Sequence, residues 1–282
     1  MLLTACATRQ EPWTKPKTIC GELVVLPAHD NATIAYSYRE PAPPRAEPSA
    51  VFVMLPGISG KLMLDKSGCV RSLKGNSLIR TMARFLDSGY AVAMVDAPSD
   101  HTVPDGLAEF RTAPEHATDL GGIITDIRSR TNRPIVLAST SRGAISAVNA
   151  ASRLHGQSAP DALILTSPLS LGREYSYKPL AMQSVFDLPL NDITAPTLIL
   201  VHDADQCPRT PPERAILVLE KLGAKTRRLV SMSGGPMAKN PPAGMDACRG
   251  QTPHGFIGQD AEMVEILVEF ARHALRLPPG KG

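Results

Sequence analysis

Residues 134–148, Pro134-Ile-Val-Leu-Ala-Ser-Thr-Ser-Arg-Gly-Ala-Ile-Ser-Ala-Val148, constrain this chain more than any other segment. An apolar run ends in small polar residues, and an apolar helical pattern follows with no linker between them. Such a segment reads as a buried strand turned sharply into a helix, with Ser141 at the apex. The residues two before and two after the apex must be small, because strand and helix approach closely there. Ser139 and Gly143 meet that demand. The turn presents the Ser141 hydroxyl above the strand end and leaves the Arg142 backbone N–H at a helix N-terminus, where it can stabilise negative charge.

The rest of the chain provides a sheet for that strand. Ala50-Val-Phe-Val-Met-Leu55, Tyr90-Ala-Val-Ala-Met-Val95, Ala162-Leu-Ile-Leu-Thr166 and Thr197-Leu-Ile-Leu-Val201 are continuous apolar runs, the pattern of strands buried on both faces. Residues 226–232 form a further strand. Helical periodicity marks residues 76–86, 113–130, 143–155, 211–222 and 261–277, with Gly89 ending the first of these before its strand. Residues 22–26 and 33–38 flank Pro27-Ala-His-Asp-Asn31 and read as an antiparallel hairpin. The alternation predicts an α/β fold: a mostly parallel, doubly wound sheet with an antiparallel N-terminal hairpin. At 282 residues the chain suits one large domain, taken as residues 20–282 after a leader at 1–19. About 30 residues separate the strands ending at Thr166 and starting at Thr197, including residues 171–186, so only a small cap is expected there.

Composition narrows the partners. Thirty basic and 27 acidic residues are spread along the chain to a net charge of +3, with no basic run, so no nucleic-acid partner is expected. No stretch reaches the roughly 18 consecutive apolar residues of a membrane-spanning helix. Leu3-Thr4-Ala5-Cys6 resembles the lipobox of bacterial lipoproteins, which implies lipidation at Cys6 and an exported, periplasmic or outer-membrane location. The alternative is a cytoplasmic protein with a chance cysteine in its leader. The other cysteines, Cys20, Cys69, Cys207 and Cys248, are even in number and suit an oxidising compartment. They allow three connectivities, or none if the thiols are unpaired. Cys207 with Cys248 is favoured, because both lie in segments carrying the candidate acid and base, which leaves Cys20 with Cys69.

Val201-His-Asp-Ala-Asp-Gln-Cys207 places two carboxylates at a strand's C-terminal end, the edge where ligands gather in such sheets. Asp205 is the preferred acid, with Asp203 and His202 read as turn and packing residues. His254, in Thr252-Pro-His-Gly-Phe256, is the only histidine between the last strand and the closing helix. The chain order Ser141, Asp205, His254 is one in which a nucleophile, an acid and a base recur on such sheets. A second N–H for a developing oxyanion falls at Ile58, in Leu55-Pro-Gly-Ile-Ser-Gly60, with Ser59 and Arg142 as candidate substrate contacts. Arg142 either binds a substrate carboxylate or pairs with Asp96, Asp100 or Glu115. The glycines of residues 55–60 do not have phosphate-loop spacing. A metal hydrolase built on His202, Asp203, Asp205 and His254 fits no zinc signature and leaves the elbow unexplained, so no metal and no cofactor are expected.

Several segments together resemble a group of exported bacterial α/β-hydrolases over most of residues 50–275. They are Asn76-Ser-Leu-Ile-Arg80, Asp96-Ala-Pro-Ser-Asp100, Glu115-His-Ala-Thr-Asp119, Ser139-Thr-Ser-Arg-Gly143 and His254-Gly-Phe256. In that group a Thr-Ser-Arg-Gly elbow, an Asp-Asp-x-Cys acid loop and a later cysteine before His-Gly-Phe recur; here Ala204 replaces the first of the two aspartates. The resemblance implies the α/β-hydrolase fold and a Ser141-His254-Asp205 triad. It implies cleavage of a small carboxylic ester through an acyl-Ser141 intermediate. The alternatives are an amidase or peptidase using the same triad, and a non-catalytic binding protein on the same fold.

Overall fold

The computed structural model describes residues 20–42, 48–101, 103–172, 183–236 and 240–277. The expected leader with Cys6, residues 43–47 and residues 173–182 of the expected cap lie outside them.

Eight strands form one sheet in the order β1-β2-β4-β3-β5-β6-β7-β8. They are β1 (Glu22–Pro27), β2 (Thr33–Arg39), β3 (Val51–Leu55), β4 (Ala91–Val95), β5 (Ile135–Thr140), β6 (Ala162–Thr166), β7 (Thr197–His202) and β8 (Arg227–Met232). The pairings from β4 to β8 are parallel, whereas β1 with β2 and β2 with β4 are antiparallel. The β1–β2 connection tightens into a single turn of 3₁₀ helix (His29–Asn31) in which Asp30 and Asn31 take left-handed φ of 44° and 64°. Short polar side chains tolerate that region best, as the hairpin reading requires.

Strand alternation divides the core in two. Val51, Val53 and Leu55 point to one face with Leu137, Leu163 and Ile199, and meet α3 (Pro114–Thr131) and α4 (Gly143–Arg153). Phe52, Met54, Val136 and Ile164 point to the other, where α2 (Met82–Asp87) and α6 (Asp260–Ala274) cover them. Each of these large side chains contributes about 1.5–3 kcal/mol by leaving water. A sheet sheathed on both faces leaves only its edges for ligands, and all the parallel strands end at the same one. The remaining helix, α5 (Ala215–Lys221), packs beside β7 and β8.

The helix expected at residues 76–86 is two helices, α1 (Ser77–Arg80) and α2, divided at Thr81 (φ −92°, ψ 1°). The Thr81 hydroxyl donates to the Ser77 and Leu78 carbonyls at 2.6 and 3.3 Å. A buried hydroxyl competing for its own helix's carbonyls bends the helix, which apolar periodicity does not register. Gly89, at φ 84°, lets the chain leave α2 for β4.

Candidate active site

Ser141 lies between β5 and α4 with φ 53°, a conformation that a non-glycine residue holds only when its surroundings enforce it. Its N–H donates to the Thr166 carbonyl at 2.9 Å, and its carbonyl accepts from Ala144 N at 3.0 Å and Leu169 N at 3.3 Å. Two glycines make room for the turn. A Cβ on Gly143 would strike the Leu55 carbonyl and lie 2.9 Å from that of Pro56; one on Gly57 would lie 3.0 Å from Ser141 Cβ. The loop after β3 is therefore pressed against the elbow. Ser139 fits where a glycine is common because its side chain is buried along the sheet, with the hydroxyl donating to the Ile164 carbonyl at 3.1 Å.

The loop after β7 carries Asp205, whose N–H donates to the His202 carbonyl at 3.0 Å. Its Oδ1 accepts from Cys207 N at 2.9 Å, and its Oδ2 lies 2.9 Å from both the Thr210 hydroxyl and His254 Nδ1. A carboxylate with this many donors is held in one orientation. Asp203 points elsewhere: its N–H bonds Met232 and its exposed carboxylate lies 3.3 Å from His202 Nδ1, while His202 Nε2 meets Gln259 at 2.8 Å. His202 and Asp203 thus serve turn and packing. Asp205 is the carboxylate that faces His254.

His254 sits in a turn of 3₁₀ helix (Pro253–Gly255) and is 3% exposed. Its carbonyl accepts the Ser167 hydroxyl at 3.0 Å. Consecutive residues at the end of β6, Thr166 and Ser167, therefore hold the backbones of Ser141 and His254. Arg80 fixes the same loop from behind, donating to the carbonyls of Gly75 at 2.9 Å, Gly250 at 2.7 Å and Gly255 at 2.5 Å while pairing with Asp260 at 2.7 Å. Disulfides join Cys207 to Cys248 and Cys20 to Cys69. The first ties the acid loop to the segment that delivers His254. Asp205, Cys207 and His254 bring three ligand-type atoms together, but the Cys207 sulfur is already bonded and the other two residues hold each other. They do not make a metal site.

Ile58 is half exposed with φ 52° and follows Gly57, whose added Cβ would be 3.6 Å from Arg142 N. The two expected oxyanion donors thus belong to segments in contact beside Ser141. Ser59 contributes mainly its backbone, accepting from Leu107 N at 3.0 Å. The wholly buried Arg111 guanidinium braces the loop, donating to the Ser146 hydroxyl at 2.7 Å and to the carbonyls of Pro56 and Ile58 at 3.4 and 3.3 Å. Arg142 does not pair with Asp96, Asp100 or Glu115. Asp96 is engaged by the N–H groups of Leu62 and Leu64 at 2.7 and 2.8 Å, Asp100 faces His29, and the carboxylate that Arg142 feels is Asp105. Burial lowers the Arg142 pKa, with Asp105 opposing; burial and then Arg142 lower those of Arg111 and Arg209. The elbow is thus flanked by poorly solvated positive charge.

The sequence did not single out Thr210, Ser167, Arg80 or Arg111 for this architecture. Only Arg80 carried a signal, as part of the Asn76-Ser-Leu-Ile-Arg80 segment.

The sheet, the elbow and the surrounding helices are those of the α/β-hydrolase fold. No protein-family model matches the chain, and no curated protein matches it by sequence. Among solved structures it is similar to esterase 2 of Thermogutta terrifontis, at 18% identity over 94% of this chain and 98% of that one, with TM-score 0.59. It is similar also to an α/β serine hydrolase without lid from Xanthomonas campestris, at 17% identity over 96% and 100%, with TM-score 0.55. An α/β serine hydrolase homologue from Coxiella burnetii matches at 19% identity over 89% and 97%, with TM-score 0.54.

Proposed function

We propose that this protein is a serine hydrolase that cleaves carboxylic esters. The observation that carries the reading is the coincidence of a serine at φ 53° on the strand–helix elbow with a buried His254–Asp205 pair at 2.9 Å, anchored to the same β6 terminus. Ser141 Oγ attacks the acyl carbon while His254 Nε2 takes its proton, and Asp205 holds the ring and balances the imidazolium. The Ile58 and Arg142 N–H groups receive the oxyanion. Collapse of that intermediate expels the alcohol, protonated by His254, and leaves acyl-Ser141; water, activated by the same histidine, then releases the acid. The positive field of Arg111, Arg142 and Arg209 favours the negatively charged intermediate. Esters rather than amides are supported by the esterases among the similar solved proteins. The two disulfides support an oxidising, exported location. No helix among the described residues is long and apolar enough to cross a membrane.

Purified protein is expected to turn over short p-nitrophenyl esters, and Ser141→Ala to lower kcat by about 10⁴–10⁶ with the fold intact by circular dichroism. Equal turnover by both proteins would remove the proposal.

A further inference from the structure

A second group of histidines and carboxylates gathers where the β1–β2 turn meets the loop after β4. Because β2 runs antiparallel to β4, that turn lies at the same sheet edge as the elbow, on the opposite side from the acid loop. Thr33 and Ser99 lace the two segments together through N–H to hydroxyl and N–H to carbonyl bonds of 3.0 and 2.8 Å. His29 is held from α3 by the buried Asp119, whose carboxylate takes the His29 N–H at 3.0 Å and Nδ1 at 2.7 Å. On the far side of the ring, Nε2 lies 3.1 Å from Asp100 Oδ2. The other Asp100 oxygen lies 4.0 Å from His101 Nε2. The Phe110 ring packs on both imidazoles, at 4.5 Å from His29 and 4.2 Å from His101.

This arrangement asks for a cation. A neutral imidazole donates through one nitrogen only, and His29 has a carboxylate oxygen at each. With Nδ1–H committed to Asp119, the Nε2 lone pair faces a carboxylate unless a second proton or a metal ion lies between them. Asp119 orients His29 as a carboxylate commonly orients a metal-bound histidine, fixing the tautomer that leaves Nε2 to bind.

We propose that His29 Nε2, Asp100 and His101 form a zinc site. Their ligand atoms lie within 4.8 Å of one another, and the His29–Asp100 separation already matches the roughly 3.3 Å between ligands that tetrahedral bonds of about 2.0–2.1 Å require. The part-exposed His101 closes the set by turning inward. Two nitrogens and one oxygen suit zinc, with the fourth position left to water. His116, buried with neither nitrogen partnered among the described residues, stands behind Phe110 at 5.2 Å and is not a ligand. The ion would clip the β1–β2 turn to the loop leading through Phe110 to Arg111, and so to the carbonyls of Pro56 and Ile58. With three protein ligands the ion would bridge the two loops without being closed off as a four-ligand structural site is, and it lies apart from the acid–base pair.

The test is calorimetric titration of chelator-treated full-length protein with zinc chloride near neutral pH, alongside His101→Ala, Asp100→Asn and His254→Ala. The expected result is one zinc per chain, with a rise in thermal midpoint, in the parent protein and in His254→Ala. His101→Ala and Asp100→Asn are expected to bind at least about tenfold more weakly and to lose the midpoint rise. His101 is part-exposed, and the midpoint of His101→Ala in chelator should match that of the parent; Asp100→Asn also loses the His29 contact, so its midpoint rise is read against its own value in chelator. No saturable binding overturns the proposal and leaves His29 doubly protonated. Equal binding by the parent and His101→Ala, or loss of binding in His254→Ala alone, also overturns it by placing the ion elsewhere.

Discussion

Two histidine–aspartate pairs stand at one edge of this sheet with nearly the same local geometry. His254 Nδ1 is 2.9 Å from Asp205, and His29 Nδ1 is 2.7 Å from Asp119. Their surroundings part them. Asp205 is saturated by donors from its own loop, and the proposed chemistry gives His254 Nε2 the Ser141 hydroxyl. His29 Nε2 instead meets a second carboxylate, Asp100, and is tied up on both sides. A histidine–aspartate pair is thus not a catalytic device in itself. What the far nitrogen faces decides whether the ring moves protons or holds two loops together.

The sharpest way to break this contrast is to make the same change in both pairs. Asp205→Asn is expected to lower kcat/KM by about 10⁴ with little change in stability, because the ring loses the partner that fixes its tautomer. Asp119→Asn should alter turnover by no more than a few-fold yet cost about 1–3 kcal/mol of stability. Steady-state kinetics and urea titration of both variants read this directly. Comparable losses of turnover would show that the pairs are not distinct.

The disulfides differ in the same way, since Cys207–Cys248 joins the acid and base loops whereas Cys20–Cys69 joins the start of the hairpin, at the far end from His29, to the loop after β3. Their sequence separations are 41 and 49 residues, so loop-closure entropy assigns each about 4 kcal/mol. Replacing Cys207 and Cys248 by serine, or Cys20 and Cys69, should therefore destabilise the protein about equally in denaturant. Only the first pair of changes is expected to slow ester hydrolysis at temperatures where the variant remains folded, because only that bridge holds the acid and base loops together.

The smallest effect concerns acid. Burial first, then the charges of Arg111, His101 and His29, holds the His116 pKa well below its ordinary value of 6.5. The unfolded chain takes up a proton there near pH 6.5 and the folded chain does not. Stability from this group is therefore full above that pH and falls as the pH drops, by up to about 1.4 kcal/mol per unit. His29 acts in the opposite sense. Burial lowers its pKa, but Asp119 and Asp100 outweigh that and raise it, so its contribution is full at low pH and is lost as pH rises above 6.5. Thermal midpoints of His116→Phe should show a shallower acid limb than the parent and an unchanged alkaline limb.

The features legible in the sequence are those whose causes are local. The elbow announces itself through a strand, small residues and a helix within fifteen positions of chain. The buried strands announce themselves through unbroken apolar runs, and Asp205 and His254 through their order after Ser141. The break at Thr81 was not legible, because a single hydroxyl competing for carbonyls leaves the apolar period untouched. Thr210 and Arg111 bind side chains and carbonyls brought in by other elements, and their residue types carry no pattern. The cluster around His29 joins residues 71 to 90 positions apart, beyond any motif spacing. The carboxylate that opposes the lowering of the Arg142 pKa is Asp105 rather than Asp96, Asp100 or Glu115, because the loop after β4 turns back onto the loop after β3, where Leu107 N donates to the Ser59 carbonyl.

The Arg80 contacts also set a schedule for the emerging chain. Ser141 and its elbow are complete once β6 has joined the sheet, but the loop bearing His254 is gripped between Arg80 and Asp260, 180 residues later. A chain still being synthesised carries its proposed nucleophile without its proposed base. On the proposed mechanism it becomes reactive only when the start of its final helix arrives to close that grip.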